Sequence, residues 1–318
     1  VLFRSFLIKK FQMYFYLGIM KILGNGVMNS LSKEQKKEDR ICGRNMKRMK
    51  EKNNNKEESA FGLVAADMDG TLLNPSREIT KYTQDVIKEM SEIGVVFVPS
   101  TGRAINALPK ELKEMDCIRY GIFSNGATVY DRKEKKILYQ NHFDAKRVLE
   151  LIRDLRKFDL MISVICNGQS YGERQSMENI DYYELDENMR EIVLGSRKLV
   201  ENVEDYIKQT NGTVEKITVI FRTLEEGQKV RQFLDTIDDI QFSSSLPKNV
   251  EISKKGCNKG DALSHLTQIL KIYPEKTMAF GDADNDKELL EAADFSVVME
   301  NGLDSMKAIA DYITDSNA

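Results

Sequence analysis

Short unbroken apolar runs alternate with segments of helical period along the first third of the ordered-looking chain. Phe61-Gly62-Leu63-Val64-Ala65-Ala66 is the first run, and its length and apolar character fit a strand buried on both faces. Ile79 to Ile93 follows with apolar residues at helical spacing and stops at Gly94, a residue suited to the left-handed end of a helix. Val95-Val96-Phe97-Val98 reads as a second buried strand, 104–115 as a helix, and Tyr120-Gly121-Ile122-Phe123 as a third strand. Strand, helix, strand, helix, strand predicts a doubly wound parallel sheet of the α/β class.

The pattern then changes. Ala127 to Tyr139 reads as a hairpin with charged Asp131 to Lys136 at its turn, and Val148 to Phe158 as a helix. Met161 to Cys166 and Ile217 to Phe221 read as strands, Asn167 to Gln175 as loop, and Glu201 to Gln209 and Gly227 to Ile237 as helices. The first pattern returns with a helix over Lys259 to Ile272, a buried strand over Thr277 to Phe280, a short helix over Leu289 to Ala292 and a strand over Ser296 to Met299. The reading is a core made of 60–144 and 248–318, interrupted by an α+β module over 145–247.

Charge separates a third region. Residues 1–58 carry 14 Lys and Arg against 6 acids, a net of +8, so a total of -3 leaves -11 on the remainder. Residues 1–59 are therefore read as a basic, polar leader, disordered or non-native, with Met28 and Met46 as candidate starts. Its apolar stretch, Phe11 to Met20, is about half the roughly 20 residues a membrane helix needs. No small-residue cleavage site follows it, so no membrane association is expected. Within the leader Cys42 and Arg48 match the spacing of cysteine phosphatases, but the glycine-rich amide cradle of such a loop is missing. The acidic body excludes general nucleic-acid binding. Four scattered cysteines, none at a C-x-x-C spacing, point to reduced thiols and a cytoplasmic location. Two histidines exclude chemistry built on a histidine cluster.

The chemistry-bearing residues stand at the ends of these elements. Asp67 and Asp69 follow the first strand, where open α/β sheets place their sites, and Gly70 permits a sharp turn. In the extended turn after a strand, carboxylates at i and i+2 approach one ligand. One can attack phosphorus, and the other can exchange protons with the leaving group and water. Two anions meet a phosphate only with a cation present, and Mg2+ suits oxygen ligands and phosphate. Further acids stand in Gly281-Asp282-Ala283-Asp284-Asn285-Asp286, again directly after a strand. That run is no calcium loop, because Lys287 and Ala293 occupy the positions that need Gly and Glu. Thr101, in Ser100-Thr101-Gly102-Arg103, and Lys259, at the start of a helix, supply the hydroxyl and cation for phosphate oxygens.

Asp67-Met68-Asp69-Gly70-Thr71, Thr101-Gly102-Arg103, Asn258-Lys259-Gly260 and Gly281-Asp282 with Asn285-Asp286 together resemble the haloacid dehalogenase-like superfamily, in its Cof-like phosphatase branch. Ser124-Asn125-Gly126-Ala127 is similar to that branch's segment beside the substrate. The resemblance runs from about residue 61 to the end and implies a Rossmann-like core with an α+β cap over 145–247. It implies Asp67 as nucleophile and Asp69 as general acid and base. Thr101, Gly102 and Lys259 are implied to bind phosphate, with Asn125, Gly126 and Arg103 next to the substrate. Mg2+ is implied on Asp67, the backbone carbonyl of Asp69 and Asp282, with Asn285 and Asp286 behind them. The second acid, Asp69, favours phosphate esters over carbon–halogen bonds. The leader has no family counterpart, and relatives of this type continue for another helix past the last residues here. The implied activity is a phosphatase of small phosphorylated metabolites, such as sugar phosphates. A phosphomutase of the same fold and a non-catalytic metabolite-binding regulator are the alternatives, and the intact set of acids, Thr101 and Lys259 argues against the regulator.

Overall fold

The computed structural model describes residues 61–244 and 246–318. The leader and its Cys42–Arg48 spacing lie outside the described residues. In chain order the first elements are β1 (Leu63–Ala66), α1 (Lys81–Glu92), β2 (Val96–Pro99), α2 (Lys110–Lys113), β3 (Tyr120–Phe123), β4 (Thr128–Asp131) and β5 (Lys136–Gln140). There follow α3 (Ala145–Leu155), β6 (Leu160–Cys166), β7 (Gln169–Glu173), α4 (Arg174–Glu178), α5 (Glu187–Ser196), β8 (Lys198–Val200), α6 (Val203–Thr210), β9 (Val214–Phe221) and α7 (Leu224–Leu234). The last are β10 (Ile240–Ser243), β11 (Asn249–Lys254), α8 (Lys259–Leu270), β12 (Thr277–Gly281), α9 (Lys287–Ala292), β13 (Phe295–Met299), α10 (Asp304–Lys307) and β14 (Tyr312–Thr314). Among the described residues no helix is long and apolar enough to cross a membrane.

Two compact units emerge: 61–99 with Thr267–Ala318, and Ser100–Leu266. The first unit holds a five-stranded sheet in the order β14-β13-β12-β1-β2, parallel throughout. β1 and β12 are buried along their whole length, as the unbroken apolar runs predict for a sheet covered on both faces. From β1 the chain moves outward to β2, and when it returns as β12 it lies on the other side of β1 and moves outward the opposite way. The topological switch point is thus between β1 and β12, and crevices for ligands form outside the carboxyl ends of such strands. Helix α1 is started by Thr80, whose side chain accepts from Thr83 N at 3.1 Å.

The inserted unit is α+β. Its larger sheet runs β10-β11-β9-β6-β7-β8. Ile162, Val164, Ile217, Val219, Val250 and Ile252 belong to one core cluster with Val148, Ile152, Val203 and Val230 from α3, α6 and α7. Met161 and Ile220, one residue out of phase, pack with Met177, Ile180, Tyr183 and Val193 instead. A separate antiparallel sheet joins β3, β4 and β5.

Three expectations change. The sequence predicts a third parallel strand over Tyr120–Phe123, yet β3 pairs antiparallel with β4, leaving one parallel bridge from Ser100 to Ile122. Ser124, Asn125 and Gly126 have φ of 54°, 56° and 95°, and three left-handed residues turn the chain straight back. The expected helix over 104–115 is a 3₁₀ turn, Ile105–Ala107, and the single turn α2. Pro109 separates them, because it offers no N–H and keeps Leu108 extended. Asn167 to Gln175 contains strand β7, paired antiparallel with β6 across Asn167-Gly168, whose φ of 51° and 72° are those of a tight hairpin turn.

Candidate active site

Asp67 continues the β1 ladder, donating its N–H to Phe280 O at 3.0 Å. The chain then wraps tightly: Leu72 N–H donates to Asp67 O at 3.2 Å and Leu73 N–H to Met68 O at 2.9 Å. Met68 is fully buried, whereas Asp69 is exposed and Asp67 only 5% exposed. The apolar residue between the two acids thus anchors the loop in the core.

Gly70 is required twice over. Its φ is +91°, and a Cβ there would lie 2.3 Å from Asp282 Oδ2. The chain passes so close to Asp282 because Thr71, buried, donates its hydroxyl to Asp282 Oδ1 at 2.7 Å. Asp282 directly follows β12. Asp286, fully buried, accepts through Oδ2 from the N–H groups of Asp282 and Ala283 at 3.0 and 3.1 Å, and Asn285 lies in the same 3₁₀ turn, Asp284–Asp286.

Asp67, Asp282 and Asp286 each offer an oxygen, and these lie within 4.8 Å of one another. Three carboxylates this close repel unless hydrogen bonds or a cation offset their charge. Two amides serve Asp286 and one hydroxyl serves Asp282, and the all-oxygen donor set fits a hard divalent cation. Asp286, placed behind the ligands by the resemblance, stands with Asp67 and Asp282 in this group.

Two asparagines brace the loop and were not singled out from sequence. Asn301 Nδ2 donates to Gly70 O at 2.8 Å, and Asn317 Nδ2 donates to Leu73 O at 2.7 Å. Asn301 Oδ1 in turn accepts from Asn317 N–H at 3.0 Å.

The remaining candidates belong to the inserted unit, which brings them together locally. Thr101 N–H donates to Ile122 O at 2.9 Å, Asn125 N–H to Thr101 O at 3.1 Å and Ser124 N–H to Arg103 O at 2.9 Å. Thr101 Oγ1 accepts from Arg103 N–H at 3.1 Å. A Cβ on Gly126 would fall 2.1 Å from Asn258 O and 2.9 Å from Lys259 N, so Gly126 lies flat against the start of α8. Asn258 caps that helix by accepting from Asp261 N–H at 2.7 Å. Lys259 is completely buried, which a surface lysine at a helix start would not be.

Charged residues of the larger sheet reach the same loops. Ser124 Oγ donates to Glu215 Oε2 at 2.6 Å, and Glu215 Oε1 accepts from Gly168 N–H at 2.6 Å. Asn125 Nδ2 donates to Glu251 Oε2 at 2.7 Å, and Lys216 Nζ to Gly102 O at 2.7 Å. Sequence reasoning passed these over. Charged residues within a strand look like a solvated position, whereas Glu215, Lys216 and Glu251 are 1%, 3% and 7% exposed. Cys257 Sγ packs near Asn125 O, and burial pushes its thiol up to about 12, which removes it as a nucleophile near neutrality.

Comparison with known proteins gives a consistent result. Residues 64–318 match the haloacid dehalogenase-like hydrolase family. A 5-amino-6-(5-phospho-D-ribitylamino)uracil phosphatase, YcsE of Bacillus subtilis, is 28% identical over 267 residues, 82% of this chain and 93% of that one. A haloacid dehalogenase-like hydrolase structure from B. subtilis superposes with a TM-score of 0.68 at 24% identity, covering 80% of this chain and 95% of the other. The sugar phosphatase BT4131, of HAD subclass IIB, superposes with a TM-score of 0.65 at 22% identity, covering 80% and 94%.

Proposed function

The chain belongs to the haloacid dehalogenase-like hydrolases, and on that footing we propose that it is a magnesium-dependent phosphatase of small phosphorylated metabolites. The observation that carries the reading is the carboxylate group of Asp67 and Asp282 at the two strands flanking the switch point, with exposed Asp69 two residues on. In this reading Asp67 attacks phosphorus and becomes an aspartyl phosphate while the ester oxygen leaves. Asp69 gives that oxygen its proton and then takes one from the water that hydrolyses the intermediate. Thr101, Gly102 and Lys259 hold the phosphate oxygens, and Arg103, Asn125 and Gly126 face the rest of the substrate. Mg2+ held by Asp67, Asp282 and the Asp69 carbonyl, with Asp286 and Asn285 behind, supplies positive charge against the phosphate when bound.

Sugar phosphates are the proposed substrate class. The Bacillus relative is named for a phosphoribityl compound and a structural neighbour for sugars, which supports phosphorylated polyols. Residues 145–247 are proposed to act as the cap that selects among them. The thiols of Cys166 and Cys257, buried and outside any disulfide, suit the proposed cytoplasmic location. The test is release of inorganic phosphate from a panel of sugar phosphates, with magnesium and with a chelator. The reading expects magnesium-dependent release from several of them. Phosphoryl transfer between positions, dependent on a bisphosphate and with little release, would mark a mutase instead.

A further inference from the structure

Lys216 and Glu251 occupy an odd place for charges. The larger sheet buries one face through Ile162, Val164, Ile217, Val219, Val250 and Ile252. Strand alternation and the register put Ser163, Thr218 and Glu251 in one row on the opposite face, with Lys216 in the next row along β9. Both ions are almost sealed from solvent, and Lys216 Nζ lies 2.9 Å from Glu251 Oε1. A buried ion pair gains little stability over a well-packed apolar pair, so stability alone does not account for it.

Its hydrogen bonds point elsewhere. Lys216 donates to Gly102 O, and Glu251 accepts from the Asn125 carboxamide. One ion pair therefore grips two loops at once. The bond to Glu251 fixes which way the Asn125 amide is turned, and it sets Oδ1 against Gly102, where a Cβ would come within 2.8 Å of it. Asn125 itself is held at a left-handed φ of 56°, a conformation that needs support from its surroundings.

We propose that Lys216 and Glu251 are positioning residues: they set the Gly102 carbonyl and the Asn125 amide so that the Thr101–Arg103 loop is preformed for phosphate. This rests on the phosphatase reading above, in which those loops handle the substrate. Small displacements of such loops are costly, since a misplacement of about 1 Å can lower rates by about a hundredfold.

The experiment compares wild type, Lys216→Met and the double variant Lys216→Met/Glu251→Gln. Thermal melting, kcat and KM on the best substrate of the panel, and inhibition by inorganic phosphate are measured with magnesium. Lys216→Met alone strands a buried carboxylate, so its melting temperature falls. The double variant removes that charge and recovers most of the melting temperature. Its kcat/KM stays at least about thirtyfold below wild type, and phosphate inhibition stays weaker by about tenfold. An active wild type together with a double variant of near-wild-type kcat/KM and phosphate inhibition would overturn the proposal. A wild type inactive on every phosphate ester would overturn the phosphatase reading, and this proposal with it.

Discussion

Thr71 Oγ1 donates a hydrogen bond of 2.7 Å to Asp282 Oδ1, and so ties the loop after β1 to the loop after β12. The two residues are 211 positions apart in the chain, yet they meet because β1 and β12 are neighbouring parallel strands. The bond orients one carboxylate of the candidate metal group and leaves its second oxygen for other partners.

Thr71→Val keeps the shape and removes the donor. The expected outcome is a loss of about 1.5–3 kcal/mol in stability, typical for a hydrogen bond to a charged partner. The magnesium concentration for half-maximal activity should rise by about tenfold or more, as when a partner behind a ligand is removed. A magnesium titration of Thr71→Val that overlays wild type would contradict this role.

Gly70 and Gly94 separate conformational strain from collision. Both have positive φ, but nothing lies within 4 Å of a Cβ on Gly94, whereas one on Gly70 meets the Asp282 carboxylate. Gly94→Ala is expected to cost about 1 kcal/mol with activity unchanged. Gly70→Ala should cost more and remove magnesium-dependent activity. Chemical denaturation and a phosphate-release assay on both variants check the pair, and equal losses would count against the geometry.

Metal binding should be visible as stability. At a magnesium concentration about a hundredfold above Kd, linkage gives wild type about 2.7 kcal/mol. Asp282→Asn is expected to lose that gain. Without metal it should melt no lower than wild type, since one of three crowded carboxylates has lost its charge. Melting curves with magnesium and with a chelator test both halves. A full magnesium gain in the variant would sink the assignment.

How much of this was legible beforehand depended on the kind of signal. β1 and β2 are apolar throughout and β12 is apolar after Thr277, so Asp67, Asp69 and Asp282 could be placed at strand ends from sequence. Lys216 and Glu251 could not, because a charged residue in β9 or β11 reads the same on a solvated face as on a buried one. Asn301 and Asn317 are single polar residues whose roles come from the strands that bring them to Gly70 and Leu73. The β6–β7 hairpin is announced by Asn167-Gly168, a strong turn signal, while the polarity around it resembles a loop. The reversal at Ser124-Asn125-Gly126 carries the same Asn-Gly signal, and only Ser124 adopts a left-handed φ that its residue type does not announce.

The hairpin arginine supplies a pH test. Arg119 forms a two-pronged bond to Asp131 and holds that carboxyl below its ordinary value of 3.8. A lowered folded value means the contribution is complete above the ordinary range and is lost as pH falls through the folded value. Asp131→Asn should therefore melt below wild type near pH 7, and the gap should close on acidification below about pH 4. A gap that stays constant from pH 7 to pH 3 would contradict it.

Asp67 is the nucleophile on which the proposed phosphatase mechanism depends. The most direct measurement is the turnover number of Asp67→Asn with magnesium and the best substrate, beside its melting temperature and circular dichroism. The prediction is a loss on the order of 10⁴-fold or more in kcat with the fold intact, as for removal of other enzyme nucleophiles. Turnover by Asp67→Asn at the wild-type rate would show that the chemistry runs without it.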